Sequence, residues 1–278
     1  MQYLIAFGLY PGLLTTLGLT LLVIFVARLH AAGGGLTRGL LATVRGDGSV
    51  LILLGALLPI GAAALLPWPG SALGAVRRLD TLWLAWALLE TSFVLALLPG
   101  GQSASPASVR AAMREAQLGA AGRVALWAAL GVALWAGDSW TIKTAVGQSL
   151  ALVATLVALP AAAGWGPFAP ESSIAPAGAE GDLNRQMAEL AQWGRAIRAT
   201  VLITLVAVVA VPRIPQVHWG VNLALVGLMI GAGAGIGRTL NGVSVRQPLL
   251  AGLRWCYAWA LPLAVGAGVA LVVGQRWL

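Results

Sequence analysis

Charged residues are scarce in this sequence of 278 residues. Only 9% of the residues are Asp, Glu, Lys or Arg, and 59% are hydrophobic, whereas about 25% of an average soluble protein is charged. A water-exposed globule of this length could not cover its surface with so few charges. The composition therefore excludes a soluble globular protein. It predicts an all-α integral membrane protein in which residues 1–278 form a single polytopic membrane domain.

Cysteine and histidine are almost absent. The single cysteine, Cys256, can form neither an internal disulfide nor a CxxC metal site. The two histidines, His30 and His218, fall on opposite sides of the membrane in the topology given below, so they cannot share a haem or a metal ion. The sequence also has no P-loop, no HExxH motif and no Ser/His/Asp set. We therefore expect no metal site and no catalytic centre in this chain alone.

Eight apolar segments are long enough, with their flanking residues, to cross the hydrocarbon core of a bilayer, which needs about 20 residues of helix. They are residues 3–26, 49–66, 82–98, 124–135, 142–163, 199–211, 221–236 and 249–273. Because backbone groups in lipid must be satisfied within the segment, each is predicted to be a helix.

The net charge of +8 reports topology, because the basic residues are spread between the apolar segments and form no dense patch for a nucleic acid. Of the 17 Lys and Arg, most fall in the first, third, fifth and seventh connections. The positive-inside rule places these connections in the cytoplasm and both termini outside, on the periplasmic side of a bacterial inner membrane. Two of the cytoplasmic connections are long, an amphipathic loop at residues 27–48 and a polar loop at residues 164–197.

Two kinds of residue within the predicted spans are singled out. Glu90 lies in the middle of the third span, where a carboxylate is costly and is by default a candidate proton carrier. The alternative is a protonated Glu90 that hydrogen-bonds to a neighbouring helix. Gly227, Gly231 and Gly235 recur every four residues in the seventh span, the spacing of a helix-packing face.

The order of these features resembles the H-type membrane component of respiratory complex I, the NADH-quinone oxidoreductase. It resembles more closely the corresponding component of group 4 membrane-bound hydrogenases and formate hydrogenlyase. The first cytoplasmic segment has the residue spacing of the family's first loop, at Arg28, Leu29, Gly35, Leu40 and Leu41. The Arg-Glu-Ala at residues 114–116 matches a motif of its third connection. The sequence departs from the family at residues 31–35, where a double arginine and a proline are missing. It departs again near Arg123, where the family has an acid-proline pair.

The resemblance implies a membrane-anchor and coupling subunit. Such a subunit docks a cytoplasmic iron–sulfur or hydrogenase-like arm and links it to antiporter-like, ion-translocating subunits in the bacterial inner membrane. Iron–sulfur clusters or a NiFe centre would belong to partner subunits, and a quinone is the one cofactor that could contact this chain. The candidate contacts with partners or quinone are Arg28, His30, Arg38, Arg45, Arg114 and Glu115. The candidate proton path comprises Glu90, Glu171, Glu180 and Asp182.

Two other functions are open at this point. A small polytopic transporter or channel would place Glu90 in its pathway. A membrane-embedded lipid-modifying enzyme would need an Asp-rich metal motif in a cytoplasmic loop, and the sequence has none.

Overall fold

The structure, a computed structural model, describes residues 50–68, 78–136, 143–169, 183–210 and 219–277. These ranges are helical, with no strand among them. The helices are α1 (Val50–Ala64), α2 (Arg78–Gly101), α3 (Pro106–Ala136), α4 (Ala145–Ala163), α5 (Arg185–Val209), α6 (Trp219–Val243), α7 (Leu249–Trp255) and α8 (Leu261–Trp277). A 3-10 turn at Gly166–Phe168 follows α4, and a π-helical turn at Cys256–Ala260 joins α7 to α8.

Within the described ranges, six helical segments are long and apolar enough to cross a membrane, which confirms the prediction of a multi-pass helical membrane protein. They contain α2, α3, α4, α5, α6 and the rod that α7 and α8 form together. Helix α1 is shorter, with 15 residues, and corresponds to the second predicted span. The first predicted span, residues 3–26, lies outside the described residues. The count of eight and the placement of the termini stay predictions.

Two of the spans begin well before their apolar parts. Helix α3 has 31 residues, which is about 46 Å of helix against about 30 Å of hydrocarbon. It therefore includes most of the third predicted connection. Helix α5 likewise includes the last part of the loop predicted at residues 164–197. Asn184 caps α5, because its Oδ1 accepts the Met187 backbone N–H at 2.8 Å, the usual N-cap geometry.

The described residues fall into two compact units, and the division lies within α3 and α5. Unit 1 contains the described parts of Met1–Ala116 and Pro170–Thr204. In it, α1 packs against α2 and α5. A Cβ on Gly55 would lie 3.2 Å from the Ala96 backbone nitrogen. On another side of α1, Ile52 and Ala56 form an apolar cluster with Met187, Leu190 and Ala191.

Unit 2 contains the described parts of Gln117–Ala169 and Leu205–Leu278. Helix α4 lies at its centre and touches its neighbours through small residues. A Cβ added to Gly147 of α4 would come within 2.9 Å of Leu271 in α8. A Cβ added to Gly122 of α3 would come within 2.6 Å of the Ala161 carbonyl carbon and closer still to the Ala162 nitrogen. Both helix pairs therefore pack backbone against backbone.

The π-helical turn between α7 and α8 has a local cause. Pro262 has no N–H to donate and its ring crowds the carbonyl four residues earlier, that of Ala258. The turn before it widens, and the Leu261 N–H bonds to the Cys256 carbonyl, five residues back. Wider turns of this kind are common next to prolines that a helix tolerates.

Candidate functional site

Seven predicted site residues lie outside the described ranges, together with the amphipathic loop at residues 27–48. Their roles as partner, quinone or proton-path contacts stay predictions. They are Arg28, His30, Arg38, Arg45, Glu171, Glu180 and Asp182.

Arg198 on α5 is the most deeply buried cation among the residues of unit 1 whose burial is described. Only 3% of its surface is exposed, and Val201 and Leu202, in the apolar part of the helix that follows, are also buried. A charge at such a place is expensive unless other groups of the protein replace water around it. The surroundings of Arg198 therefore identify which groups have that task.

The first of these groups is the backbone carbonyl of Gly55 in α1, which accepts a hydrogen bond from Arg198 Nη1 at 3.1 Å. This carbonyl is available for a reason that lies in the sequence. In a regular helix it would accept the N–H four residues later, but that residue is Pro59, which stands inside α1 and has no N–H. Arg198 thus supplies from α5 the donor that Pro59 removes from α1.

The second group is the ring of Phe93 in α2, whose centroid lies 5.3 Å from the Arg198 Cζ atom. Cation–π contacts of this length stabilise a guanidinium most where water is excluded. One residue earlier, Ser92 is fully buried and its hydroxyl donates to the Leu89 carbonyl at 2.6 Å. We call this arrangement the Arg198 latch: Arg198, the Gly55 carbonyl with Pro59, and the Phe93 ring. It joins three helices of unit 1 through one side chain.

The sequence pattern does not predict the latch. Arg198 falls with Arg185 and Arg195 among the basic residues of the fifth connection, where a basic residue indicates only topology. One half of the signal was present, since a proline inside an apolar helix frees a carbonyl four residues before it. The donor could not be assigned, because nothing in the chain pattern says which helix faces Gly55.

Glu90, the predicted proton carrier, lies three residues before Phe93 on α2, which is about one helical turn. Its side chain is half-buried, and it interacts with another group of the protein. The position fits either reading of the sequence, a proton carrier or a structural partner, so the proton-carrier role stays a prediction.

An ion pair of unit 1 joins α3 and α5 through Glu115 and Arg195. Glu115 Oε2 lies 3.3 Å from Arg195 Nη2, and each side chain is roughly a quarter exposed. The geometry is that of an ion pair without a well-directed hydrogen bond, since Glu115 Oε2 has no hydrogen-bond partner. Arg195 stands one turn before Arg198 on α5. Glu115 is therefore engaged inside unit 1, while the neighbouring Arg114 is half-buried.

We expect Glu115→Gln and Arg195→Gln to destabilise the protein by about 1 kcal/mol each, since partly exposed ion pairs contribute little. The double variant should cost no more than the worse single variant if the pair is the only coupling between them. The measurement is unfolding by sodium dodecyl sulfate in mixed micelles, followed by circular dichroism. The exposed pair Arg185–Glu189 is the control, and fully additive losses at Glu115 and Arg195 would contradict the prediction.

Of the candidate quinone contacts, only Arg114 and Glu115 are described. They lie on consecutive positions of α3, and their role as partner or quinone contacts stays a prediction. Within the described ranges, no three His, Cys, Asp or Glu side chains gather as metal ligands would.

The glycine repeat of α6 does not contact another described helix of this chain. A Cβ added to Gly227, Gly231 or Gly235 would have no described residue within 4 Å. A close approach lies at Gly237, where an added Cβ would come 2.9 Å from the Trp165 ring. The helix-packing role of the three repeated glycines stays a prediction.

No described protein family and no curated protein matches the sequence, whereas 24 chains of solved structures match the fold. One of them comes from the membrane-bound sulfane sulfur reductase, an archaeal respiratory membrane complex. The TM-score is 0.65 at 17% sequence identity, and the match covers 94% of this chain and 98% of that chain. The fold is thus shared over nearly the whole length of both chains.

Proposed function

We propose that this protein is a membrane-anchor and coupling subunit of an oxidoreductase complex related to complex I and group 4 hydrogenases. In this role it docks a cytoplasmic redox arm and links it to antiporter-like, ion-translocating subunits of a bacterial inner membrane. The observation that carries the proposal is the end-to-end likeness of fold to a chain from an archaeal respiratory membrane complex. The motifs of the first and third connections support it independently.

One feature of the described residues suits a subunit that transmits a conformational change. The Arg198 latch connects α5, which continues from the long fifth connection, to α1 and α2 through one hydrogen bond and one ring contact. A displacement of α5 by an arm docked on that connection would therefore change the hydrogen bond between Arg198 and the Gly55 carbonyl, where Pro59 interrupts the hydrogen bonding of α1. The acids of the connection, Glu171, Glu180 and Asp182, would stand at the start of a path that continues at Glu90.

The test is purification of the tagged chain from its native membrane in a mild detergent, with identification of the proteins that come with it. We expect iron–sulfur or hydrogenase-like subunits and antiporter-like membrane subunits in stoichiometric amounts. Recovery of the chain alone, from a preparation in which its own fold is intact, contradicts the proposal.

The open glycine face of α6 gives a second, sharper expectation from the same preparation. Gly231→Leu should leave the unfolding of the isolated chain unchanged, because Gly231 is exposed and no described residue lies within 4 Å of an added Cβ. It should lower the yield of co-purified membrane subunits severalfold if a partner helix packs on the repeat, since small residues set the distance of such contacts.

The matched control is Gly266→Leu on α8. This position is equally open, lies in the same unit and does not belong to the repeat. An equal loss of partners in both variants, or in neither, contradicts a specific contact at Gly231.

A transporter or channel is the second candidate function, and the half-buried carboxyl of Glu90 within an apolar helix favours it. It predicts ion or solute flux by the purified chain in liposomes, abolished by Glu90→Gln and unaffected by Glu189→Gln. If liposomes that contain the wild-type chain show no ion or solute flux, this alternative is contradicted and the first proposal is unaffected.

A further inference from the structure

The loop after α4 contacts α6, α7 and the connection between them. The Gly166 N–H donates to Asn241 Oδ1 at 2.7 Å, and the Gln247 N–H donates to the Pro167 carbonyl at 2.9 Å. Gly166 needs its left-handed backbone, with φ at 56°, to aim this N–H at Asn241. The end of α6 and the connection that follows it are therefore held in place on this loop.

Aromatic packing brings α7 to the same loop. The ring of Phe168 lies 6.1 Å from the ring of Trp255, and a Cβ on Gly252 would lie 3.5 Å from Phe168. Trp255 is fixed in turn, since its indole N–H donates to the Val157 carbonyl of α4 at 3.0 Å. The surface formed by the end of α6, the connection and α7 therefore lies on well-packed residues.

The charged residues that α6, α7 and their connection contribute to this surface are all basic. Arg238, Arg246 and Arg254 are all exposed, and each stands within three residues of a position that contacts the loop. The chain has no Asp or Glu after Glu189, so α6, α7, α8 and their connections contribute no carboxylate of their own. We call these three arginines the basic rim.

Exposed apolar side chains lie between Arg238 and Arg246 along the chain, and exposed aromatic side chains follow Arg254. Val243 and Val245 are 84% and 87% exposed, and Tyr257 and Trp259 of the π-helical turn are more than half exposed. Valines left in water beside arginines would be unfavourable, whereas at a headgroup boundary they enter the acyl region while the guanidinium groups stay at phosphate level. Tyrosine and tryptophan are enriched at the same level.

We infer that the basic rim is a binding site for anionic phospholipid headgroups, beyond the docking and coupling role proposed above. The planar guanidinium groups of Arg238, Arg246 and Arg254 suit the paired oxygens of a phosphate. Val243 and Val245 seat the connection between the lipid chains. The combination favours a lipid over an acidic soluble protein, because the acyl region of a lipid accommodates the exposed Val243 and Val245 next to the charges.

The test uses the purified protein in nanodiscs of phosphatidylcholine mixed equally with phosphatidylglycerol, and native mass spectrometry of the lipids that stay bound after release. The triple variant R238Q/R246Q/R254Q should lose at least tenfold in retention of phosphatidylglycerol over phosphatidylcholine, because each arginine near an anionic surface contributes about fivefold. V243S/V245S should weaken retention of both lipids alike.

The control is Arg276→Gln, which removes an exposed arginine at the opposite end of α8. Equal losses in the control and the triple variant would show a net-charge effect and overturn the proposal, as would unchanged lipid retention in the triple variant. Loss of a co-purified acidic subunit with unchanged lipid retention would assign the surface to a protein instead. Circular dichroism establishes that each variant is folded, and lipid retention by the isolated chain is independent of whether an oxidoreductase arm co-purifies.

Discussion

Replacing Gly122 by alanine is expected to destabilise unit 2 by about 3 kcal/mol or more, toward the upper end of what overpacking costs. The added methyl would overlap the backbone of α4 at Ala161 and Ala162. A flexible side chain could turn away, but main-chain atoms of a helix cannot, so α3 and α4 must separate. Separation also removes the dispersion contacts along the whole seam between the two helices.

The single cysteine provides the measurement. Cys256 is buried in a cluster with Ala121, Ala161 and Phe168, and Ala121 is the neighbour of Gly122. Opening the seam between α3 and α4 should expose the thiol, so Gly122→Ala should raise its rate of alkylation by a small maleimide by roughly a hundredfold if opening becomes easier by about 3 kcal/mol.

Gly131→Ala is the matched control, since Gly131 lies exposed on the same helix with no described residue within 4 Å of the added methyl. It should leave the alkylation rate unchanged or lower it slightly, because alanine is the better helix former. Equal rates for wild type and Gly122→Ala would mean that the helices accommodate the methyl and that the seam is not set by this glycine.

These two glycines show where prediction from the sequence succeeds and where it ends. The helices follow from apolar length, and six of the predicted spans correspond to described helices that are long and apolar enough to cross a membrane. Contacts between glycines and other helices do not follow from the sequence in the same way. The regular repeat Gly227, Gly231 and Gly235 suggests a contact, yet no described residue lies within 4 Å of an added Cβ there, while the isolated Gly122 and Gly147 carry the close approaches.

The difference has a physical cause. A glycine permits close approach but does not produce it, and the neighbour's position depends on the packing of every other helix. The lengths of α3 and α5 were underestimated for a related reason. Their early turns are polar because they extend past the hydrocarbon, and a hydropathy pattern ends a span where the apolar residues end, although the backbone continues as helix.

The Arg198 latch predicts an energetic coupling between two residues, Arg198 and Pro59. Arg198→Met should destabilise the protein by about 1–3 kcal/mol, because the Gly55 carbonyl is left buried without a donor. In the Pro59→Ala background the same substitution should cost much less. The new backbone N–H at position 59 then donates to the Gly55 carbonyl, as in any regular helix.

The quantity to measure is the coupling free energy of this double-mutant cycle, from unfolding by sodium dodecyl sulfate followed by circular dichroism. A second cycle, Pro59→Ala with Arg195→Gln, is the control. Arg195 lies one turn earlier on the same helix and pairs with Glu115, so this cycle should be additive within about 0.5 kcal/mol. Arg198→Lys retains a donor and should recover part of the loss in the Pro59 protein.

The sign of the coupling discriminates between two roles of the arginine. If Arg198 only fills space beside Phe93, its removal costs the same whatever stands at position 59, and the cycle is additive. If it replaces the donor that proline lacks, the coupling is positive and of the order of one hydrogen bond to a charged group, about 1.5–3 kcal/mol. In that case the proline and the arginine act together. Pro59 leaves the Gly55 carbonyl without its helical donor, and Arg198 supplies a donor as long as α5 keeps its present position. A shift of α5 would then change the conformation of α1, which is the property that a coupling subunit requires.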